Sequence, residues 1–206
     1  EMNKIRMIAL AACMAATLDA SAQEQEIRLF SHRGGRMEHD ENTFSAFQAS
    51  YDAGYRGFET DIRMTRDGAL VITHDSSLER TTNGTGTVEE KTEAEIRQLA
   101  TKQGNKMMFL DELLEFLEGK EGLYVEFEMK TKPEALYPEE RLHAYCDKLY
   151  DAVMAVKPAD ATFVFTSGDY RGLRYLQAKH PGVDLLLITS KPCNDETIDL
   201  CKAMGI

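Results

Sequence analysis

Short runs rich in β-branched and aromatic residues alternate along this chain with stretches whose apolar residues recur at helical spacing, and that alternation narrows the possible folds most sharply. The strand-like runs are IRLFS (27–31), GFETDI (57–62), ALVITH (69–74), LYVEFEM (123–129), TFVFT (162–166) and DLLLIT (184–189). Between most of them the spacing predicts helices over 43–53, 110–118, 139–156, 170–179 and 195–203. Such alternation predicts an α/β fold with a parallel sheet and helices packed on its outside. Strands two and three break the pattern, because only RMTRDG separates them and no helix fits there. Residues 75–108 form one long irregular connection with a short helical piece at 92–99, and a connection of that length is more often a lid or binding loop than filler.

At 206 residues and 43% hydrophobic, the chain is expected to bury one core in one domain. The formal net charge of -11 carries no basic block, so a polyanion would meet general repulsion and nucleic acid is not an expected partner. A small anionic substrate remains compatible, given a local cation to outweigh the field.

Residues 1–22 differ in kind from the rest. Lys4 and Arg6 precede an apolar stretch from Met7 to Leu18, and Ala20-Ser21-Ala22 supplies the small residues that a signal peptidase reads. This predicts a signal peptide over 1–22, a domain over 23–206, and an exported protein, periplasmic or secreted, with no stable membrane span. Leu10-Ala11-Ala12-Cys13 resembles a bacterial lipobox, which would anchor the chain at Cys13. The apolar run before it is only about six residues, short of the usual seven to fifteen or so, which argues against that reading. Beyond the signal stand Cys146, Cys193 and Cys201, an odd number without zinc spacing, for which buried thiols are expected.

Chemistry gathers at the strand ends. The segment SHRGGRMEHDENTF at 31–44 holds two histidines, two arginines, two glutamates, an aspartate and an asparagine directly after the first strand. Side chains alternate along a strand, so Glu59 and Asp61 share a face, as do Glu126, Glu128 and Lys130. In a parallel α/β sheet, ligands bind beyond the carboxyl ends of the strands. Those ends carry His32 and Arg33, Glu59 and Asp61, His74, and Glu128 and Lys130.

Glu59, Asp61 and Glu128 converging without compensation would repel one another, and one divalent cation resolves this. An all-oxygen set favours Ca²⁺ or Mg²⁺ over zinc. His32 and His74 are then free as proton donor and acceptor, and Arg33 and Lys130 as anion contacts. Taken singly, a strand-end histidine is more often structural or solvated, and Glu59 with Asp61 reads equally well as a solvated strand face. Glu126 reads as a polar inward residue one layer deeper. The joint placement at successive strand ends is what favours a site.

The run HRGG…ENTFSAFQASYDAGYRGFETDIRMTRDGALVITHDSSLERTTNGTGTVEEKTEAEIRQL closely resembles the glycerophosphodiester phosphodiesterase family over residues 32–99, with a looser match at FEMK and FLDELLEFL. The family pattern runs His-Arg-Gly, Glu-Asn-Thr, Glu-x-Asp, Thr-x-Asp-Gly, His-Asp and Arg-Thr-Thr. The resemblance implies a TIM-type (β/α)8 barrel that hydrolyses a glycerophosphodiester to glycerol 3-phosphate and an alcohol with a divalent metal. It further implies His32 and His74 as the catalytic acid/base pair with Arg33 beside the phosphate, Glu59, Asp61 and Glu128 as metal ligands, and Lys130 as a phosphate contact.

Departures from the pattern are few but pointed. Asp40 stands where the family has proline, KMMFLDEL replaces the usual entry to the third helix, and the late Trp-Thr-Val-Asn strand is absent. Six strands followed by KAMGI suggest a barrel truncated after about six strands, incomplete at its C-terminus. Two other readings stand beside the hydrolase. One is a phospholipid phosphodiesterase of the sphingomyelinase D type, against which the Glu-Asn-Thr and Arg-Thr-Thr segments argue. The other is a catalytically inactive exported binding protein, against which the intact His, Glu and Asp set argues.

Overall fold

We describe residues 28–206 of a computed structural model of the chain. The expected signal segment at 1–22, Cys13 within it and the first residue of the expected first strand lie outside those residues. Strands β1 (Phe30–His32), β2 (Gly57–Met64), β3 (Leu70–Ile72), β4 (Tyr124–Met129), β5 (Thr162–Ser167) and β6 (Leu185–Leu187) form one six-stranded sheet. Its order is β1-β2-β4-β5-β6 with every neighbouring pair parallel, and β3 lies off this path, antiparallel to β2.

Helices α1 (Phe44–Asp52), α2 (Glu93–Ile96), α3 (Leu110–Leu117), α4 (Glu139–Val156), α5 (Tyr170–Lys179) and α6 (Asp195–Ala203) follow the expected periodic stretches closely. Their starts are chemically marked. The side chains of Thr43, Thr92, Asp169 and Asn194 each accept a backbone N–H in the first turn of α1, α2, α5 and α6, satisfying donors that have no partner within the helix.

Alternation sorts each strand into two faces. Phe58, Ile62 and Met64 of β2, with Val125, Phe127 and Met129 of β4, lie buried in one apolar core. Phe116 of α3 ties three elements together, its ring lying 5.7 Å from Phe44, 6.2 Å from Tyr51 and 6.1 Å from Phe58. Burying a ring of that size stabilises the fold by about 1.5–3 kcal/mol. The opposite strand face carries the acidic residues.

The β2–β3 hairpin departs from the expected arrangement of strand ends. RMTRDG is long enough for a turn and too short for a crossover, so β3 must run back alongside β2. The eight residues of β2 extend past the end of β4, whose pairing with β2 stops at Ile62↔Met129. The returning chain therefore comes level with the sheet mouth again, where the Thr73 N–H donates to the Asp61 carbonyl at 2.9 Å. His74 reaches the mouth by this return, not from the end of a strand parallel to its neighbours.

The 75–108 connection is more structured than its sequence suggests. Leu78, Val88, Ile96 and Met107 pack with Val71 and Phe109 into a second small core. Its helical piece is shorter than the expected 92–99, because only Glu93–Ile96 complete the turn that Thr92 caps. Of Cys146, Cys193 and Cys201, Cys146 is buried as expected, whereas Cys193 is exposed and Cys201 half-buried. Among the described residues no helix is long and apolar enough to cross a membrane.

Candidate active site

Register aligns the acidic residues. His32 pairs with Glu59 across β1 and β2, and Glu59 with Glu126 and Asp61 with Glu128 across β2 and β4. Glu59, Asp61 and Glu128 each bring a carboxylate oxygen to within 4.8 Å of the others. Glu126 stays outside this group, and accepts instead from the Tyr124 hydroxyl at 3.3 Å.

The cluster is electrostatically unsatisfied. Glu59 Oε1 and Asp61 Oδ1 are buried and accept no hydrogen bond. Burial, then the charges of Asp61 and Glu128, push the Glu59 carboxyl from 4.5 up to about 8. Burial likewise raises Glu128, although Lys130 donates to its Oε1 at 2.8 Å and works against the rise. The Lys130 ammonium is also 3.5 Å from Asp61 Oδ1. Lys130, with an Arg33 guanidinium shared with Glu41, still leaves the three carboxylates with negative charge in excess. Buried carboxylate oxygens that accept no hydrogen bond, in a cluster of net negative charge, fit a hard cation held by oxygens.

The loop after β1 wraps the cluster. Arg33 adopts a left-handed conformation (φ 54), which turns its N–H onto Glu59, donating to the carbonyl at 3.0 Å and to Oε2 at 3.1 Å. Gly34 follows at φ +75, where a Cβ would stand 2.9 Å from that of Ala46. The Arg33 guanidinium donates to Glu41 at 3.1 Å and lies 3.3 Å from Asp61 Oδ2. Asn42, also left-handed (φ 59), donates its side-chain amide to the same Asp61 oxygen at 2.9 Å. His32 Nε2 is 3.5 Å from Glu59 Oε2, and burial together with Arg33 and Arg36 lowers the pKa of this imidazole.

His74 enters from the other direction, sharing a cavity of about 430 Å³ with Glu128 and Lys130, while His32 lines a separate one of about 340 Å³. His74 Nδ1 lies 2.6 Å from Asp75 Oδ1. Burial opposes ionisation of Asp75, but hydrogen bonds from Arg80 and His74 outweigh it and hold the carboxyl at about 2. An ionised Asp75 requires the proton of neutral His74 to sit on Nδ1, which leaves Nε2 as an acceptor. Arg80 also donates to both Glu41 oxygens, at 2.7 and 3.0 Å, so one chain of ion pairs runs from His74 through Asp75, Arg80 and Glu41 to Arg33.

The structure thus brings Glu59, Asp61 and Glu128 together, with Lys130 and Arg33 against them and His32 and His74 beside them. Residue-level reading from sequence missed the parts played by Asn42, Glu41, Asp75 and Arg80. Their presence in the Glu-Asn-Thr, His-Asp and Arg-Thr-Thr segments was the available signal.

A parallel sheet of this order, with a carboxylate cluster that could hold one ion and basic side chains at its mouth, is the arrangement of a partial TIM barrel. The model of the glycerophosphoryl diester phosphodiesterase family matches residues 32–204, and the chain belongs to that family. A glycerophosphodiester phosphodiesterase of Caldanaerobacter subterraneus subsp. tengcongensis is 37% identical over 123 residues, covering 55% of this chain and 50% of the relative. The crystal structure of a glycerophosphodiester phosphodiesterase from Agrobacterium tumefaciens is 28% identical with a TM-score of 0.63, over 78% of this chain and 66% of that one. An Oleispira antarctica phosphodiesterase, solved in complex with the product sn-glycerol-3-phosphate, superposes with a TM-score of 0.75 over 87% of this chain and 72% of that one. At 23% identity it shows the shared fold. The chain spans about half the length of the curated relatives it matches.

Proposed function

We propose that the protein hydrolyses glycerophosphodiesters to glycerol 3-phosphate and an alcohol, with one divalent cation, Ca²⁺ or Mg²⁺, held by Glu59, Asp61 and Glu128. The observation that carries this reading is the pair of buried oxygens on Glu59 and Asp61 that accept no hydrogen bond, within a carboxylate cluster that two imidazoles flank. When bound, the cation supplies Lewis-acid stabilisation of charge building on the phosphate oxygens. Everything else falls to the side chains.

Arg33 and Lys130 offset the charge of the phosphodiester and orient it. His74, with Nε2 left as an acceptor by Asp75, takes the proton of the attacking hydroxyl, either water or the neighbouring glycerol hydroxyl by way of a cyclic phosphate. The new P–O bond forms as the bond to the alcohol breaks, and on the cyclic route a water then attacks the phosphorus and opens the ring, forming one P–O bond as another breaks. His32, whose proton affinity rises as the phosphate anion comes close, protonates the departing alkoxide.

A coupled glycerol 3-phosphate assay on glycerophosphocholine, with EDTA and with cation restored, tests the reading. Turnover that EDTA abolishes and Ca²⁺ or Mg²⁺ restores supports it. Silence in every condition, from chain shown by circular dichroism to be folded, refutes it and favours a binding protein. Export belongs to the same proposal, supported by the charge order and small residues of 1–22. N-terminal sequencing of the protein recovered from a bacterial periplasm should begin after Ala22, and a cytosolic chain that keeps those residues would refute export.

A further inference from the structure

We propose that Arg63, held by Glu89, is a positioning residue that sets the His74 and Lys130 segments relative to each other at the mouth of the site; the catalytic part of this inference rests on the hydrolase reading above.

Arg63 lies two residues beyond Asp61 on β2 and so on the same inward face, one step nearer the mouth. Arginine is rarely buried unless paired, yet Arg63 is 6% exposed. Its guanidinium makes four hydrogen bonds to three separate pieces of chain. Nε donates to the His74 carbonyl at 3.0 Å. Nη1 donates to Glu89 Oε1 at 2.7 Å, to the Lys130 carbonyl at 3.2 Å and to the Lys132 carbonyl at 3.3 Å.

Glu89 is itself buried and fully engaged. Its Oε2 accepts from Ser76 at 2.8 Å and its Oε1 from the Tyr137 hydroxyl at 3.1 Å, while that hydroxyl accepts the Met64 N–H at 3.0 Å. The segments that carry His74 and Lys130 are not paired with each other as strands; β3 pairs β2 on one side and β4 pairs β2 on the other. Arg63 bonds both from the strand between them. A rigid planar fork with several donors can hold these carbonyls at once, which the single ammonium of lysine cannot. The role is one of placement, since misplacing a reacting group by about 1 Å can cost about a hundredfold in rate.

The test uses Arg63→Lys and the isosteric Glu89→Gln in the full chain. For Arg63→Lys, kcat on glycerophosphocholine should fall by about 10–100-fold with KM within about threefold, the loss typical of groups that orient a working residue. In a His74→Ala background the same substitution should cost clearly less than in the wild type, because only the Lys130 segment is then left to position. Equal losses in both backgrounds, or an undiminished kcat in a folded variant, overturn the proposal. Amide hydrogen exchange is read in parallel. Protection at residues 73–77 and 130–132 should drop by about tenfold in either variant, with α4 and β5 unchanged. Should the wild type itself prove inactive, exchange still decides. Unchanged protection in both variants refutes the positioning role, whereas inactivity of the wild type refutes only the hydrolase reading.

Discussion

Glu59→Gln, compared with wild type with and without calcium, tests the cation site through its effect on stability. The unfolded chain releases the Glu59 proton near 4.5 and the folded chain retains it to about 8, because burial and the neighbouring Asp61 and Glu128 resist its charge. Between those values the folded state binds the extra proton, so stability is fully present below pH 4.5 and is lost as pH rises through 8. Ionising the cluster above pH 8 therefore destabilises the metal-free fold. A bound dication offsets that repulsion and displaces the proton.

The assay is thermal unfolding of EDTA-stripped protein at pH 5 and pH 8. We expect the metal-free midpoint of the wild type to fall between the two relative to Glu59→Gln, and the variant to be the more stable at pH 8. Calcium at about a hundred times its dissociation constant should add about 2.7 kcal/mol to the wild type. For a domain of this size that is a rise of about 5–10 °C. The variant should rise by no more than about 2 °C under the same calcium. A variant no more stable than wild type at pH 8, with the same calcium shift as wild type, would remove Glu59 from a cation site and with it the reasoning from unsatisfied charge.

Replacing either His32 or His74 by alanine should lower turnover by about a hundredfold or more with the circular dichroism spectrum unchanged, and near-normal turnover in the double variant would exclude them as acid and base. Asp75→Asn removes the charge that keeps the His74 proton on Nδ1, so kcat should fall by about 10–100-fold at constant thermal midpoint, with an unchanged kcat counting against the tautomer assignment. Gly34→Ala meets both a left-handed backbone and the Ala46 side chain at 2.9 Å, and urea unfolding should register a loss of about 1–3 kcal/mol, whereas a neutral result would mean that the turn after β1 relaxes freely.

Much of this molecule was legible one residue at a time. Helices α4, α5 and α6 occupy 139–156, 170–179 and 195–203 as their apolar spacing predicts, because an amphipathic period is a local property that packing only has to accept. Glu59, Asp61 and Glu128 were likewise visible as same-face residues on two strands, and strict alternation kept them together once β2 and β4 paired in register. The structured state of 75–108 was not visible. Its core is assembled from Leu78, Val88, Ile96 and Met107 against Val71 and Phe109, residues too far apart in sequence to form a period.

Residue type and spacing alone determined the alternating architecture, the inward acidic row and the side chains able to carry proton transfer. Tertiary structure alone decided how those side chains meet. It carried β2 past the end of its partner so that β3 brought His74 back to the mouth, and it joined Asn42, Glu41, Arg80 and Arg63 to the site through contacts spanning 11 to 67 residues. The physical reason is range: side-chain direction follows from the pleat and helical pitch of a few neighbouring residues, whereas an ion pair between distant segments exists only after the chain has closed the loops that separate them.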